Sequence, residues 1–418
     1  MPATYAGARG LLKMKRRIET TDAWALVLSF ASFVALGMVN GLLGVAWPSI
    51  RASFQLPLDA LVALLASSTV GFVLGSVLVA RVMARTGVGW ALLIANLLAA
   101  VALFGYAVSP GWWVMVALGL LGGWASGAID TGLNIYVAAT RSVRTMNWMH
   151  ACFGVGATLG PLIMTAIVTM GLSWRLGYVV AGLVHLALGL TCLSVVRTMT
   201  FRGTAHTTET GEPARPEPIA RTLRLAAVWF SILLFLLYTG VESTAGQWTF
   251  TWFTEGRGVP AYIAGTMTSV FWAMLTLGRV VFGAAAARIG TERLLRLSMV
   301  GTVLASLLLL LNSIPAGFVA IALMGLSLSA IFPTLTSDTP HRVGLRHAAN
   351  TIGLQTGAAS VGFAILPGMA GALAERAGLE SLAPFLVVTS LLMLFTNQAA
   401  VHLMRRQRAM KAAAGSSI

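Results

Sequence analysis

Long apolar runs recur along the whole chain and limit what it can fold into. Each run is about 20 residues or more, the length that an α-helix needs to cross the hydrocarbon of a bilayer. Backbone polar groups in lipid must pair within helices or a closed barrel, and these runs are too long and uniformly apolar for barrel strands. We number the twelve runs as segments 1–12, near 24–48, 59–83, 90–108, 111–138, 148–170, 174–197, 225–253, 260–286, 293–312, 315–336, 348–373 and 381–404. The sequence therefore predicts an all-α membrane protein with twelve transmembrane helices.

Basic residues fall mostly on one side of these helices. If the N terminus is cytoplasmic, most of the 28 Lys and Arg residues lie in cytoplasmic segments or at their edges. The exceptions are Arg51, Arg175, Arg257 and Arg376 on the other side, and Arg279 within segment 8. This bias is the positive-inside rule, and it predicts cytoplasmic termini and a location in the cell membrane, the inner membrane of a bacterium. The net charge of +15, which would suggest nucleic acid in a soluble protein, is thus explained by topology, and we expect no nucleic-acid partner.

One long polar interval, residues 199–224, divides the apolar runs into two sets of six. It contains three prolines and several charged residues, which is typical of a flexible linker. The predicted organisation is a cytoplasmic N-terminal segment (1–23), a six-helix half (24–198), a cytoplasmic linker (199–224), a second six-helix half (225–404) and a cytoplasmic tail (405–418).

The two halves match at a constant offset of 203 residues, as between Gly75 and Gly278. The same offset relates the runs ARTG (84–87) and ARIG (287–290), and also Ser126 and Ser329. Parallel six-helix repeats joined by a cytoplasmic linker resemble the architecture of the major facilitator superfamily. This resemblance implies a major facilitator fold with two pseudo-symmetric halves and a solute site between them near the midplane.

The loops after segments 2 and 8 carry a further resemblance. They are similar to the superfamily's Gly–Asp–Arg–Gly loop motif, although alanine (Ala84, Ala287) replaces the usual acid in both. The resemblance implies a role in conformational gating for Gly75, Arg85, Gly87, Gly278, Arg288 and Gly290.

Two stretches resemble the fucose permease-like branch, whose members are sugar:proton symporters. The stretch YTGVESTAGQW (238–248) looks like that branch's helix 7, and the run from His150 to Pro161 is similar to its helix 5. The helix-5 residues Gly154, Gly156, Gly160 and Pro161 also resemble part of the helix-5 motif of drug–proton antiporters. Close helix packing is the simpler role for these glycines.

Only two of the thirteen acids, Asp130 and Glu242, lie at predicted membrane depth. An ionisable side chain there costs about 2.5–3.5 kcal/mol on insertion scales, and such residues are usually functional. Asp130 shares a helix face with Ser126 and Asn134, so we interpret it as a proton-coupling carboxylate; the alternative is a structural acid bonded to a neighbouring helix. Glu242 could bind solute or protons, or make a hydrogen bond between packed helices.

His150 begins segment 5 near the predicted cytoplasmic surface. Histidine titrates near neutrality, so His150 could relay protons to Asp130, or it could be a hydrated residue at a helix start. Together, Asp130, Glu242 and His150 are the predicted proton-coupling group. Arg279 is expected to snorkel or to bond backbone carbonyls.

Amide and indole side chains at membrane depth are candidates for solute binding. Amides offer the paired donors and acceptors that suit sugar hydroxyls, and indoles can stack on a sugar ring. The candidate indoles are those of Trp47, Trp124, Trp248, Trp252 and Trp272, and the deeper Trp124 and Trp248 are the better candidates. The predicted solute-binding residues are Asn40, Trp124, Asn134, Glu242, Gln247, Trp248 and Gln355.

The sequence predicts a secondary active transporter and not an enzyme. No GxxxxGK[ST] loop is present, so an ion gradient is the expected energy source. The leading hypothesis is proton-coupled symport of a sugar or similar small polar solute by alternating access; the alternatives are proton-coupled export of a drug or amphiphile, and a receptor or scaffold that transports nothing. Expected partners are the solute, protons (with sodium as an alternative) and the bilayer, for a monomer without cofactors or metals.

Overall fold

The computed structural model describes residues 3–196 and 217–415, and helices make up nearly all of them. The helices are α1 (Ala3–Phe54), α2 (Leu61–Thr86), α3 (Val88–Val108), α4 (Trp112–Thr140), α5 (Val143–Thr169), α6 (Arg175–Val195), α7 (Ile219–Thr222), α8 (Ala226–Thr251), α9 (Ala261–Ile289), α10 (Thr291–Leu309), α11 (Ile314–Leu328), α12 (Ile331–Val343), α13 (Leu345–Ala377) and α14 (Leu382–Gly415). Short 3₁₀ turns at Leu58–Ala60 and Leu379–Ser381 precede α2 and α14, and a π-helical turn, Trp252–Gly256, extends α8.

The predicted twelve-helix membrane fold is confirmed. In the described part of the chain, eleven spans are long and apolar enough to cross a membrane, with α11 and α12 together forming one of them. The twelfth is α10, which begins with the charged residues Glu292, Arg293 and Arg296 and is therefore less apolar. The span predicted as segment 10 is interrupted between Leu328 and Ile331, where the helix breaks into α11 and α12.

The two halves repeat the same helix pairings. In the N-terminal half, α1 packs against α5, α2 against α4 and α3 against α6. The corresponding pairs in the C-terminal half are α8 with α13, α9 with α11 and α10 with α14. The two halves contact each other through α5 with α9 and through α2 with α13, and the pseudo-symmetry relates these two pairs to each other. A third contact between the halves joins α1 and α8. The constant offset between the halves of the sequence thus corresponds to a structural repeat.

Two faces of the bundle are used below for orientation. The terminal face is where α1 begins and α14 ends; the far face is where α1 ends and α2 begins. At the far face, Arg51 of α1 forms an ion pair with Glu255, which follows α8. Nearby, the Leu58 backbone N–H donates to the Glu375 carboxylate of α13 at 2.6 Å. These polar contacts hold the halves together at the far face.

The end of the predicted linker packs against the terminal face of the C-terminal half. Residues 197–216, most of that linker, lie outside the described residues. In the remainder, the Asn350 side-chain amide of α13 donates to the Glu217 carbonyl at 2.6 Å, and Thr222 and His347 are 3.0 Å apart through Oγ1 and Nδ1. The last residues before α8 are therefore attached to the start of α13.

Candidate functional site

The centre of the molecule is the line along which α5 and α9 bring the two halves into contact. A Cβ atom on Gly154 of α5 would lie 2.0 Å from the Thr276 hydroxyl of α9. Closer to the far face, a Cβ on Gly265 of α9 would lie 1.8 Å from the Thr165 hydroxyl of α5. Neither position has room for a side chain, so glycine at both sets how closely the halves approach. Polar groups of both halves cluster around this line.

The N-terminal half contributes a chain of three polar side chains. His150 Nε2 lies 3.1 Å from Asn134 Oδ1, and since that oxygen can only accept, the histidine donates. Asn134 Nδ2 donates to the Asp130 carbonyl at 2.9 Å, and the half-buried Asp130 carboxyl lies beside the same amide. The His150 ring contacts Phe33 of α1 edge-on at 5.3 Å between centroids. Three of the predicted site residues are therefore adjacent.

The C-terminal half contributes a second polar group around Glu242 on α8. The Tyr238 hydroxyl, one turn earlier on the same helix, donates to the Glu242 carboxylate. Arg279 of α9 lies close enough to interact with the Tyr238 hydroxyl and, across the interface, with His150. A cation, a phenol and a carboxylate thus stand opposite the amide, imidazole and carboxyl of the other half.

Unpartnered polar atoms lie nearer to the far face. A Cβ on Gly44 of α1 would meet the backbone of Gln247 at 3.1 Å, and the Trp272 ring of α9 lies against the preceding Gly246. The Gln247 Oε1 and Trp272 Nε1 atoms are buried without a hydrogen-bond partner. The same holds for Oδ1 of Asn40, one turn before Gly44. A buried polar atom without a partner is costly, and these atoms remain available to form hydrogen bonds.

The helix-5 glycines face two different neighbours. Gly156 and Gly160 lie against the backbone of α1, where an added Cβ would be 1.9 Å from Val34 O and 2.3 Å from Met38 O. The Pro161 ring also packs on α1, and Gly154 faces α9 as described above. The helix-5 motif therefore packs against α1 of its own half and against α9 of the other half.

Three predicted solute-binding residues are not brought to this site. Trp248 is buried and its Nε1 donates to the Pro367 carbonyl at 2.9 Å. Gln355 is buried and exchanges hydrogen bonds with Thr339 of α12, at 2.9 Å from its Nε2. The half-buried Trp124 packs against the core of the N-terminal half. All three serve packing within one half in this structure.

Four of the six loop-motif residues lie at the terminal face, apart from the polar cluster. Gly87 and Gly290 follow α2 and α9 with φ of +85° and +81°, a conformation that favours glycine. Arg85 and Arg288 are exposed. Gly75 and Gly278 lie within the helices, where an added Cβ would be 2.1 Å from Trp124 O and 2.2 Å from Ser329 Oγ. Their gating role stays a prediction.

Sequence reasoning did not identify Arg279 and Tyr238 as site residues, and it ranked Trp272 below Trp124 and Trp248. Arg279 is the one Lys or Arg in the middle of a predicted segment, and that position was a usable signal. Tyr238 precedes Glu242 by four residues, which places both on one helix face. Nothing in the sequence distinguished Trp272 from the other membrane tryptophans.

A family model for the Major Facilitator Superfamily matches residues 28–367 and 262–416. The chain is 24% identical to the sodium-dependent glucose transporter 1 of Danio rerio over 368 residues, 76% of this chain and 60% of that protein. It is 33% identical to the major facilitator superfamily domain-containing protein 4A of Xenopus tropicalis over 117 residues, 28% of this chain and 23% of that one. The chain thus spans less than two thirds of the length of both relatives. A glucose/mannose transporter of Bacillus subtilis, GlcP, is 22% identical over 73% of this chain and 77% of its own.

Solved structures share the fold. A crystal structure of a mutant of the nucleoside transporter NupG superposes with a TM-score of 0.75 at 13% identity, over 90% of this chain and 99% of that one. A bacterial homologue of the human lysosomal transporter Spinster, in an inward-facing and occupied conformation, gives 0.71 at 13% identity, over 92% and 97%. At these identities the likeness concerns the fold alone.

Proposed function

Since the chain belongs to the major facilitator superfamily, a family of membrane transporters and not of enzymes, we propose that it is a secondary active transporter. It carries a sugar or a similar small polar solute together with a proton, by alternating access. The names of two relatives, a glucose transporter and a glucose/mannose transporter, support a sugar.

The observation that carries the proton part is the chain formed by Asp130, Asn134 and His150. Among the described residues, Asp130 has no ion pair, so a proton is the available means of neutralising its charge inside the bundle. His150 is exposed while bonded to Asn134, so it offers a path for protons between water and the amide beside Asp130. An imidazole can accept a proton at one ring nitrogen and donate one from the other, which suits a relay.

The solute part rests on the unpartnered atoms near the far face. The oxygens of Asn40 and Gln247 require hydrogen-bond donors, and Nε1 of Trp272 requires an acceptor. Sugar hydroxyls supply both in one molecule. Glu242, one turn closer to the terminal face than Gly246 on the same helix, adds a charged acceptor. This set favours a neutral, hydroxyl-rich solute, since an anion would face two amide oxygens and a carboxylate.

The direction of the faces follows from the charge distribution. We assign the terminal face to the cytoplasm, with both termini and the linker on that side, because Lys and Arg concentrate there. The ion pair of Arg51 with Glu255 and the contact of Gly44 with Gly246 then close the site toward the outside. These contacts support an inward-facing state in this structure.

Sodium is the second candidate for the coupling ion. A relative named as a sodium-dependent glucose transporter favours it, and carboxylates can bind either ion. Export of a drug or amphiphile is the alternative function that the sequence suggests, from the resemblance of the helix-5 glycines to the antiporter motif. In this structure the packing of these glycines on α1 and α9 accounts for them.

Uptake of radiolabelled glucose into proteoliposomes tests the function and the ion together. A proton gradient, acid outside, should drive accumulation in sodium-free buffer, and a sodium gradient at equal pH should not. Accumulation with sodium alone would replace the proton in the proposal. If glucose and other hexoses are not accumulated under either gradient while an amphiphile is expelled, the exporter replaces the symporter.

A further inference from the structure

Arg279 is a cation deep in α9, and it is not directed at the membrane surface. It lies ten residues before the last residue of α9, Ile289, or about 15 Å along the helix at 1.5 Å per residue. The side chain is half-buried and lies beside Tyr238 of α8. A guanidinium at this depth is costly unless an anion or several acceptors compensate it.

The ionisable groups that face Arg279 are few. From α8 the group is Tyr238, which interacts with both Arg279 and Glu242, and from α5 the group is His150. The helix α11, which also packs against α9, has no ionisable residue, and the charges of α10 lie at its terminal-face end. Among the described neighbours, Glu242 is therefore the acid that can balance Arg279.

The Tyr238 hydroxyl can link the two charges. Its one proton is donated to the Glu242 carboxylate, so only its lone pairs remain for the guanidinium. The described ion pairs do not include a direct contact between Arg279 and Glu242. Arg279 lies close enough to interact with the Tyr238 hydroxyl, so a guanidinium N–H can donate to the phenol oxygen while the phenol O–H donates to the carboxylate.

We propose that Arg279 is a positioning residue for the solute site, which compensates Glu242 through Tyr238 and holds that carboxylate toward the interface between the halves. The pair belongs to one half, so it travels with α8 and α9 during the conformational cycle. Because Arg279 also faces His150, the pair lies directly opposite the proton chain of the other half. The role in solute binding rests on the proposed function; the charge pair does not.

A double-mutant cycle separates pairing from a general loss of packing. The variants are R279Q, E242Q and R279Q/E242Q, with R296Q, an exposed arginine at the terminal-face end of α10, as the matched control. The melting temperature of the purified proteins is measured together with glucose counterflow in proteoliposomes. R279Q should lower the melting temperature by several degrees and weaken glucose affinity about tenfold or more, because a charged carboxylate loses its compensation.

The double mutant should melt at a higher temperature than R279Q, and its glucose affinity should match that of E242Q, because the carboxylate that Arg279 positions is already absent there. R296Q should match the wild type in both assays. If R279Q is too unstable to purify, the yield of purified protein replaces the melting temperature. The double mutant should then be obtained at the yield of E242Q. Additive losses in the double mutant, or its failure to express alongside R279Q, would overturn the pairing.

A further variant, Y238F, keeps both charges and removes the link. Its glucose affinity should fall by a smaller factor than that of R279Q, and wild-type affinity in Y238F would contradict the bridge. If the wild type carries no glucose, the proposed function fails, whereas the melting temperatures still decide whether Arg279 and Glu242 are paired.

Discussion

Asp130 and Glu242 are two acids at membrane depth, one in each half, and their surroundings differ. Beside Asp130 are an amide and, beyond it, an imidazole, all in the N-terminal half. Glu242 accepts from a phenol, and a guanidinium lies behind that phenol. A carboxylate with only neutral partners needs a proton to cross the low-dielectric interior, whereas one with a nearby cation has a partner for its charge. The same functional group can therefore bind protons in one half and solute in the other.

The largest expected effect is that of Asp130→Asn, which fixes a neutral side chain at the proposed proton site. Accumulation of glucose driven by a pH gradient should fall to the level of protein-free liposomes. Glucose counterflow should persist, since solute exchange requires no release of the proton. Glu292→Gln, which neutralises an exposed acid paired with Arg405 at the terminal face, is the control and should keep both activities. Loss of counterflow in Asp130→Asn would assign the carboxyl to solute binding or folding.

Glu242→Gln should show the opposite pattern. A hydrogen bond to a charged group contributes about 1.5–3 kcal/mol, so glucose affinity in binding and counterflow assays should weaken about tenfold or more. The response of the remaining uptake to pH should stay that of the wild type. If Glu242→Gln has normal glucose affinity and its uptake does not respond to pH, Glu242 is the proton-binding acid and Asp130 the solute-binding one.

Moving the two halves apart at the far face should change the surroundings of both Asp130 and Glu242. We expect an effect of intermediate size. In Gly44→Ala, the new Cβ would lie 2.6 Å from the Gly246 carbonyl oxygen, so α1 and α8 must move apart. We expect a single cysteine at Asn40, in a background without Cys152 and Cys192, to react several-fold faster with a reagent added outside. Gly353→Ala on α13, which has nothing within 4 Å of its added Cβ, is the matched control. Unchanged labelling would show that this contact does not close the far face.

The smallest effect is expected for His150→Gln. Glutamine preserves a donor for the Asn134 oxygen but cannot accept a proton at one atom and pass it on from another. Uptake driven by a pH gradient should slow by a few-fold, and counterflow should be unchanged. Equal slowing of both rates would indicate a structural role of the His150 ring against Phe33.

Helical spacing alone predicted part of this site. The positions of Asp130 and Asn134 on one face follow from their separation of four residues, and the twelve spans follow from apolar length. The bond from His150 to Asn134 depends on how α4 and α5 cross, which spacing within a helix does not specify. For Arg279, the sequence was equally compatible with a side chain that snorkels to the membrane surface. Its partner Tyr238 lies on another helix, and spacing within α9 does not reveal it.

Two predicted solute-binding residues that lie outside the polar cluster show the same limit. Trp248 and Gln355 have residue types and depths that suit a sugar site, yet Pro367 and Thr339 already use their polar atoms. These partners are more than a hundred residues and 16 residues away in the chain, respectively. Which polar side chains stay available for solute is decided by packing between helices, and the sequence pattern carries little of that information.

The central claim is that a proton crosses with the solute and that Asp130 carries it. The direct measurement records glucose entry and external pH together in weakly buffered, sodium-free proteoliposomes, for the wild type and Asp130→Asn. The account predicts that glucose entering through the wild type makes the medium more alkaline, and that entry through Asp130→Asn leaves the pH unchanged. Alkalinisation with glucose entry through Asp130→Asn would contradict it.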